Sequence, residues 1–349
     1  MKTDTISPFD TFLRSPFVRV DDVRPGQVVV SGGPFDGAQG AERFGARSGP
    51  DHVRSGSLAL AEVLRTVDPE GLIDVDTGGR FASLSDEQLV DVGNFTTYPT
   101  DIPRTTDSLA NGVYQVVKRG AFSIFLGGDH YTSYPSALGF SRAVAESQPR
   151  ARIGYVHIDG HLDFWDEGTP GQRFTHATNA RRISELPNVV KSSMAWIGLT
   201  GPSADEPIEA VLRGGGVIFS ARDVRRNGPR EIAERAGDHA IAQCDRIYVT
   251  LDIDVLDSGY LPGTGSIDNN AITPTLLREV LAVLSAYPIG AMDVMEVAPR
   301  LDRSGRSGSI AAEMAVTLAR PRLLASIDAS PPRRDVPGDR SHRQPHARG

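Results

Sequence analysis

Two short stretches of the chain concentrate carboxylate and imidazole side chains at alternating positions. The first places Asp159, His161 and Asp163 two residues apart, and the second places Asp252 and Asp254 two residues apart. Alternate residues of an extended chain point to the same side, so each set is expected to share one face. Four carboxylates in one partly dry site repel one another unless cations neutralise them or some remain protonated. The spacing therefore favours a metal-binding site.

A further candidate ligand, His130, follows the apolar run 122–126 after two glycines, Gly127 and Gly128. Glycine lets the backbone turn sharply, which we expect to bring His130 to the edge of a sheet. Taken alone, an Asp-x-Asp pair is usually a capping or loop pair, and a histidine is usually a hydrogen-bonded core residue. Two such clusters at the ends of apolar runs favour the metal site over that alternative.

The apolar runs before these motifs are typical of buried strands. They alternate with segments of helical character, for example 50–64, 106–118, 229–242 and 274–285. This alternation is typical of a parallel sheet covered on both faces, whose ligands bind beyond the carboxyl ends of the strands. The sequence predicts an α/β fold, namely a single three-layer α/β/α domain with a mostly parallel sheet of about eight strands. The expected strands are 28–30, 89–93, 122–126, 153–158, 195–198, 217–219, 247–251 and 289–292.

The two ends of the chain differ in composition from its body. Residues 1–25 mix proline, aspartate and arginine with isolated aromatic residues, and are expected to form an irregular arm lying on the body. Residues 26–327 make up the predicted domain, in which we see no internal repeat. Residues 328–349 are crowded with proline, arginine and other polar residues, so we predict a disordered tail.

Composition limits the classes of function. The chain of 349 residues is 39% hydrophobic and 23% charged, as in ordinary globular proteins. Its net charge of -7 argues against a nucleic-acid partner. The single cysteine, Cys244, excludes an internal disulfide and a thiolate metal site. Because no apolar stretch is suited to a secretion signal or a membrane span, we expect a cytoplasmic enzyme with a small-molecule substrate and no membrane partner.

Five ordered motifs support a more specific hypothesis. They are GGDH (127–130), DGHLD (159–163), LDIDVLD (251–257), PGTG (262–265) and DVMEVAP (293–299). Together they resemble the motifs of the ureohydrolases, the family that includes arginase, agmatinase and guanidino-acid hydrolases. A stretch rich in arginine and glycine at 43–50 is also similar to the family, and the resemblance runs from about Gly32 to Leu324.

The resemblance implies two manganese ions, for which nickel or cobalt could substitute. Oxygen ligands with a minority of imidazoles suit Mn²⁺ on chemical grounds as well. In this family the two ions activate a water, which attacks the carbon of a guanidino group and releases urea and an amine. One ion would be held by His130, Asp159, Asp163 and Asp252, and the other by Asp159, His161, Asp252 and Asp254, so that Asp159 and Asp252 bridge the pair.

The resemblance also implies roles toward the substrate. Glu296 matches the residue that holds the guanidinium through paired hydrogen bonds, although a surface ion pair is its alternative role. His176 matches a histidine that stabilises the substrate or shuttles protons, but the family's His-Gly is His-Ala here, so a loop or capping role stays open. Asp163 is expected to be catalytic as well as a ligand. Family members form homo-oligomers, so we expect a trimer or a hexamer.

The chain departs from the family pattern at positions that are expected to contact the substrate. Trp165, preceded by Phe164, stands where arginases carry an asparagine that reads the amino-acid end of L-arginine. An aromatic wall with Trp165 as a substrate-binding residue disfavours arginine and favours an agmatinase-like or guanidino-acid substrate. Segment 266–270 and Ser258 also differ, so the substrate tail is expected to be unusual.

Two hypotheses from other classes stay open. The first is a different C–N hydrolase on the same scaffold, acting on formimino or acetyl groups. The second is a non-catalytic homologue in which metals only brace the fold or an oligomer.

Overall fold

A central sheet organises the part of the chain that the computed structural model describes, residues 5–6, 9–37, 43–68, 70–75 and 78–328. Eight strands of this sheet run parallel, and a short ninth strand, Thr5–Ile6, pairs antiparallel at one edge. The parallel strands are β1 (Val28–Gly32), β2 (Leu89–Phe95), β3 (Phe122–Leu126), β4 (Ile153–Ile158), β5 (Val189–Leu199), β6 (Val217–Ser220), β7 (Arg246–Asp252) and β8 (Ile289–Met295). Beyond the ninth strand, their order is β2, β1, β3, β8, β7, β4, β5, β6.

Helices cover both faces of the sheet, which confirms the predicted three layers. They are α1 (Gly49–Gly56), α2 (Leu58–Leu64), α3 (Ile102–Lys118), α4 (Ser133–Ser147), α5 (Asn179–Ser184), α6 (Asp205–Arg213), α7 (Ala221–Asn227), α8 (Pro229–Ile241), α9 (Pro274–Leu284) and α10 (Arg306–Leu323). Helices α3 to α6 pack in one apolar core, and α1, α2 and α7 to α10 pack in the other. In β1, Val28 and Val30 point into the second core while Val29 points into the first, because successive side chains of a strand alternate between faces.

Among the elements that differ in extent from the sequence expectation, three depart the most. The helix expected over 50–64 is two helices separated by the buried Ser57, whose hydroxyl donates to a backbone carbonyl. Helix α3 begins at Ile102 because the Asp101 side chain accepts a hydrogen bond from Arg104 N and caps the first turn. Strand β5 begins at Val189 rather than at 195, because Val189 already pairs with Ile153 of β4, ahead of an irregularity in the register.

The ends of the described chain pack against the body. Phe12 and Leu13 are fully buried, and Phe12 N donates to Asp91 Oδ2 at 2.9 Å. Near the other end, Ser326–Asp328 pairs with Arg80–Phe81 in a small separate sheet. Of the tail expected at 328–349, residues 329–349 lie outside the described residues. No described helix is both long enough and apolar enough to cross a membrane.

Candidate metal centre

Four neighbouring strands in the middle of the sheet, β3, β8, β7 and β4, carry the predicted site residues at their carboxyl ends. His130 follows β3, Glu296 follows β8, Asp252 ends β7 and Asp159 follows β4. The carboxyl ends of parallel strands lie along one edge, so residues far apart in sequence meet there. The structure brings all six predicted metal ligands together at this edge.

The imidazole of His130 forms the middle of a first cluster. Its Nδ1 atom lies 3.0 Å from an Oδ2 atom of each of three carboxylates, those of Asp159, Asp163 and Asp252. The ring is buried, and Nδ1 has no partner of good hydrogen-bond geometry among the described residues. Adjacent ligands of an octahedral ion with bonds of about 2.1 Å are about 3.0 Å apart. The spacing of these atoms therefore fits a divalent cation.

A second cluster adjoins the first through Asp159. His161 Nδ1 lies 3.1 Å from Asp254 Oδ2 and 3.4 Å from Asp159 Oδ1. Asp159 thus turns Oδ2 toward His130 and Oδ1 toward His161, which fits the bridging role expected of it. Asp252 turns Oδ2 toward His130, while its Oδ1 accepts a hydrogen bond from Asp254 N at 2.8 Å.

The carboxylates of the centre lie so close together that their negative charges repel one another unless a cation offsets them. Burial raises the pKa of Asp252 well above its usual range, and the neighbouring charges of Asp254 and Asp159 raise it further. Burial is also the main cause that raises the pKa of Asp254. Divalent cations would offset both effects by favouring the ionised form. A set of four carboxylates and two imidazoles suits Mn²⁺ and similar ions, so the residues present fit the expected pair of metals.

A hydrogen-bonded chain behind His130 fixes the orientation of its ring. His130 Nε2 lies 2.9 Å from Thr250 Oγ1, and the Thr250 hydroxyl donates to the carboxylate of Asp293. Asp293 is fully buried and also accepts from Ser133 Oγ at 2.7 Å. With Nε2 carrying the proton toward Thr250, the lone pair of Nδ1 faces the three carboxylates, as a metal ligand requires.

A second series of hydrogen-bonded side chains supports Asp159, and we did not predict its members from the sequence. His157 Nε2 lies 2.8 Å from Asp159 Oδ2, and the Tyr155 hydroxyl lies 2.8 Å from His157 Nδ1. The sequence does contain a signal for these residues, because alternate residues of a strand point to the same side. Counting back in steps of two from Asp159 gives His157 and Tyr155, and counting back from Asp252 gives Thr250.

The cause that we predicted for the convergence of the ligands is wrong. Strand β4 ends at Ile158, so Asp159, His161 and Asp163 do not share one face of an extended chain. Asp163 instead has a φ of +48°, an uncommon conformation outside glycine, and Asp254 lies in the short 3₁₀ turn Ile253–Val255. Tight turns after the strands, and not strand alternation, aim these side chains at the centre.

The reason expected for the glycines before His130 also needs correction. Neither Gly127 nor Gly128 is among the glycines with positive φ. A Cβ atom at Gly128 would lie 1.7 Å from Phe35 O, and one at Gly127 would lie 2.0 Å from Met295 Sδ. These positions require glycine because neighbouring chain segments pack directly against the backbone.

Glu296 lies beside the first cluster. Its Oε1 accepts a hydrogen bond from His130 N at 2.8 Å, and its backbone has a φ of +62°. The side chain is only 6% exposed, which excludes the alternative of a surface ion pair. Burial raises the pKa of the Glu296 carboxyl to about 7. A strained backbone and a raised pKa in one residue are typical of functional positions.

His176 lies at the start of a 3₁₀ turn whose cap is another residue. Thr175 and Thr178 form the capping box of this turn, so His176 does not cap it. The Asn179 Nδ2 amide donates to His176 O at 2.6 Å and to Asp163 Oδ2 at 2.8 Å. The turn that carries His176 is therefore tied directly to a predicted ligand.

The expected aromatic wall consists of Trp165 alone. Trp165 is 39% exposed and lines a cavity above the centre. Phe164 is buried and packs edge-on against Trp196, with ring centroids 5.5 Å apart. The expectation was wrong for Phe164, because its side chain packs into the apolar core while Trp165 lines the cavity.

The cavity has a volume of about 670 Å³. At its floor are ligand residues with Glu296 and His176, and its sides include Trp165. Away from the centre it continues between the end of β5, the loop 200–204, helix α6 and strand β6. Ser266, from the loop that departs from the family pattern, lines it too, while Asp268 Oδ2 of that loop lies 3.8 Å from His161 Nε2.

Proteins that resemble this chain are known by sequence and by structure. Residues 26–320 match the model of the Arginase family. Proclavaminate amidinohydrolase of Streptomyces clavuligerus is 31% identical over 320 residues, which cover 88% of this chain and 91% of that protein. Its solved structure has a TM-score of 0.74 at 26% identity, and the match covers 89% of this chain and 96% of that one.

Other relatives carry different names at similar identity. Guanidinopropionase of Pseudomonas aeruginosa is 28% identical over 310 residues, covering 87% of this chain and 88% of that protein. Formimidoylglutamase of Halalkalibacterium halodurans is 26% identical over 328 residues, covering 92% of this chain and 98% of that protein. The resemblance of the five motifs is thereby confirmed at the level of the family: the chain belongs to the arginase family, whose members are hydrolases acting on guanidino or amidino groups.

Proposed function

We propose that this protein is a two-metal amidinohydrolase that cleaves the guanidino group of a substrate other than L-arginine into urea and an amine. The observation that carries the proposal is the pair of ligand clusters that share Asp159 and lie beside Glu296. The first cluster meets at His130 Nδ1, 3.0 Å from three carboxylate oxygens. Two positive ions at this place would lie next to a carboxylate suited to a guanidinium.

The metal ions we propose are Mn²⁺, with nickel or cobalt as alternatives. The ligands would be those expected from the sequence, with Asp159 shared between the ions. When bound, such a pair supplies a water of lowered pKa as the nucleophile. Oxygen-rich donor sets favour Mn²⁺ over metals that prefer thiolates.

Two side chains would handle the substrate. Glu296 would accept paired hydrogen bonds from the planar, permanently charged guanidinium and hold its carbon above the centre. His176 lines the same cavity and lies on a turn tied to Asp163, so it is placed to give a proton to the departing amine. Asp163 would act as a ligand that also positions this turn through Asn179.

The side of the cavity argues against L-arginine. Recognition of an α-amino acid needs hydrogen-bonding partners, whereas Trp165 offers an apolar ring. A binding site without such partners does not select a substrate for its polar groups. We therefore propose a small or extended guanidino compound that, like agmatine and the guanidino acids, lacks the amino-acid end of arginine.

Urea release from a panel of guanidino compounds tests this function. The purified protein, freed of metal and reloaded with Mn²⁺ or Ni²⁺, should release urea from at least one guanidino compound and little or none from arginine. Release of formamide from a formimino compound, without urea from any guanidine, would instead favour a formimino-group hydrolase on the same scaffold. Bound metal without turnover on either panel would favour a non-catalytic role.

Three further expectations stay predictions. They are the domain boundaries at 26 and 327, assembly as a trimer or hexamer, and a cytoplasmic location. Sedimentation of the full chain tests the assembly directly, since a monomer at micromolar concentration would contradict it.

A further inference from the structure

The cavity above the centre has two parts of opposite character. Beyond the floor, its walls carry apolar side chains from the end of β5, from helix α6 and from strand β6. These are Leu199, Ile208, Leu212 and Ile218. We call this part the distal lobe. It has no counterpart in the motifs that identify the family, since none of its residues belongs to them.

Charge is confined to the floor. Among the described residues that line the cavity, every ionisable side chain is a predicted ligand, Glu296 or His176. The polar side chains around the distal lobe are neutral hydroxyls, those of Thr200, Ser203, Ser220 and Ser266. A carboxylate or ammonium at the far end of a substrate would therefore find no opposite charge on these walls.

Two apolar side chains at the cavity stay exposed to solvent. Leu212 is 53% exposed and Trp165 is 39% exposed, although both line the cavity. Exposed apolar surface beside a pocket is typical of a ligand-binding surface. A volume of about 670 Å³ is also far more than a guanidinium group needs, and lies in the range of pockets for drug-sized ligands.

On the basis of the amidinohydrolase activity proposed above, we propose that the substrate is a guanidine with an extended, uncharged alkyl or arylalkyl tail. The guanidinium would lie on Glu296, and the tail would lie along Trp165 into the distal lobe. Each buried methylene then strengthens binding about fourfold. An ionised tail loses that gain and is disfavoured by about 10- to 100-fold, because its charge is desolvated without a partner.

A series of guanidines tests this substrate class. With the Mn²⁺-loaded protein, we expect kcat/KM for urea release to rise from ethylguanidine through butylguanidine to hexylguanidine, by about fourfold for each methylene. Hexylguanidine should exceed both agmatine and 4-guanidinobutyrate by at least tenfold. Equal values along the series, or a preference for either charged compound, would overturn the proposal. Urea from no guanidine at all would refute the proposed function itself.

A substitution in the lobe gives an independent test. Leu212→Lys adds a cation to an exposed position of α6, so the fold should be retained. It should lower kcat/KM for hexylguanidine and raise it for 4-guanidinobutyrate, which changes their ratio by tenfold or more. Val63→Lys is the matched control, because Val63 is 61% exposed on α2 and does not line the cavity. If Leu212→Lys changes the ratio no more than Val63→Lys does, the distal lobe does not hold the tail.

Discussion

The metal centre and the distal lobe lie in one cavity but are built in different ways. At the centre, turns after neighbouring strands hold the ligands, and buried side chains behind them, such as Thr250 and His157, fix their orientation. The lobe is formed by the end of β5, the loop 200–204, the short helix α6 and the outer strand β6, and its apolar side chains make no such network. The difference indicates that reaction and tail recognition can vary separately, since a change in the lobe leaves the ligands and their supports in place.

Removal of a metal ligand should have the largest effect on activity. We expect Asp252→Ala to reduce urea release to background, because the water would lose its activating charge. Metal content should fall, and so should thermal stability, since a metal at 100 times its Kd stabilises the folded state by about 2.7 kcal/mol. Elemental analysis and calorimetry measure both effects. Asp257→Ala, in the same segment, is the control that should keep its metal; full occupancy in Asp252→Ala would contradict the ligand assignment.

Substitution of Glu296 should separate substrate binding from metal binding. In Glu296→Gln, the side-chain oxygen can still accept from His130 N, so the local fold and both metals should be retained. The lost charge removes a charge-assisted hydrogen bond to the guanidinium, so kcat/KM should fall about 10- to 100-fold. Steady-state kinetics with elemental analysis checks this expectation. Wild-type kinetics in this variant would show that the guanidinium is held elsewhere.

Residues that orient the metal ligands should contribute less to metal binding than the ligands themselves. Thr250→Val keeps the size of the side chain but removes the hydroxyl that joins His130 Nε2 to Asp293. Loss of such a partner should weaken metal binding by about tenfold, while activity at saturating metal stays close to normal. Metal titration followed by activity measures the change. Thr317→Val, at a half-buried position on α10, is a matched control, and an equal effect there would argue against a positioning role for Thr250.

The sequence could predict the centre better than the lobe for physical reasons. Buried apolar strands followed by charged residues indicate both a parallel sheet and the edge where His130, Asp159 and Asp252 meet. The turn geometry could not be read in this way, because the φ of +48° at Asp163 depends on tertiary contacts. The distal lobe was also beyond prediction. Leu212 and Ile218 are ordinary apolar residues in sequence, and only the packing of α6 beside β6 places them on one cavity.

The smallest expected effect concerns Gly160, the glycine inside the DGHLD motif. A Cβ atom at Gly160 would lie 2.8 Å from Asp268 Oδ2 and 3.3 Å from both Asp254 O and Asp254 Oδ1, although the backbone conformation permits alanine. Asp268 is a flexible side chain that can move, so Gly160→Ala should cost only about 1 kcal/mol of stability, at the low end of overpacking. The Asp268→Ala change should recover part of that cost, because it removes the closest contact and leaves the two with Asp254. Thermal unfolding of the two single variants and the double variant measures this coupling. If the cost of Gly160→Ala is the same with and without the Asp268 side chain, the glycine is not an adaptation to the altered loop, and the centre and its surroundings vary independently at this point as well.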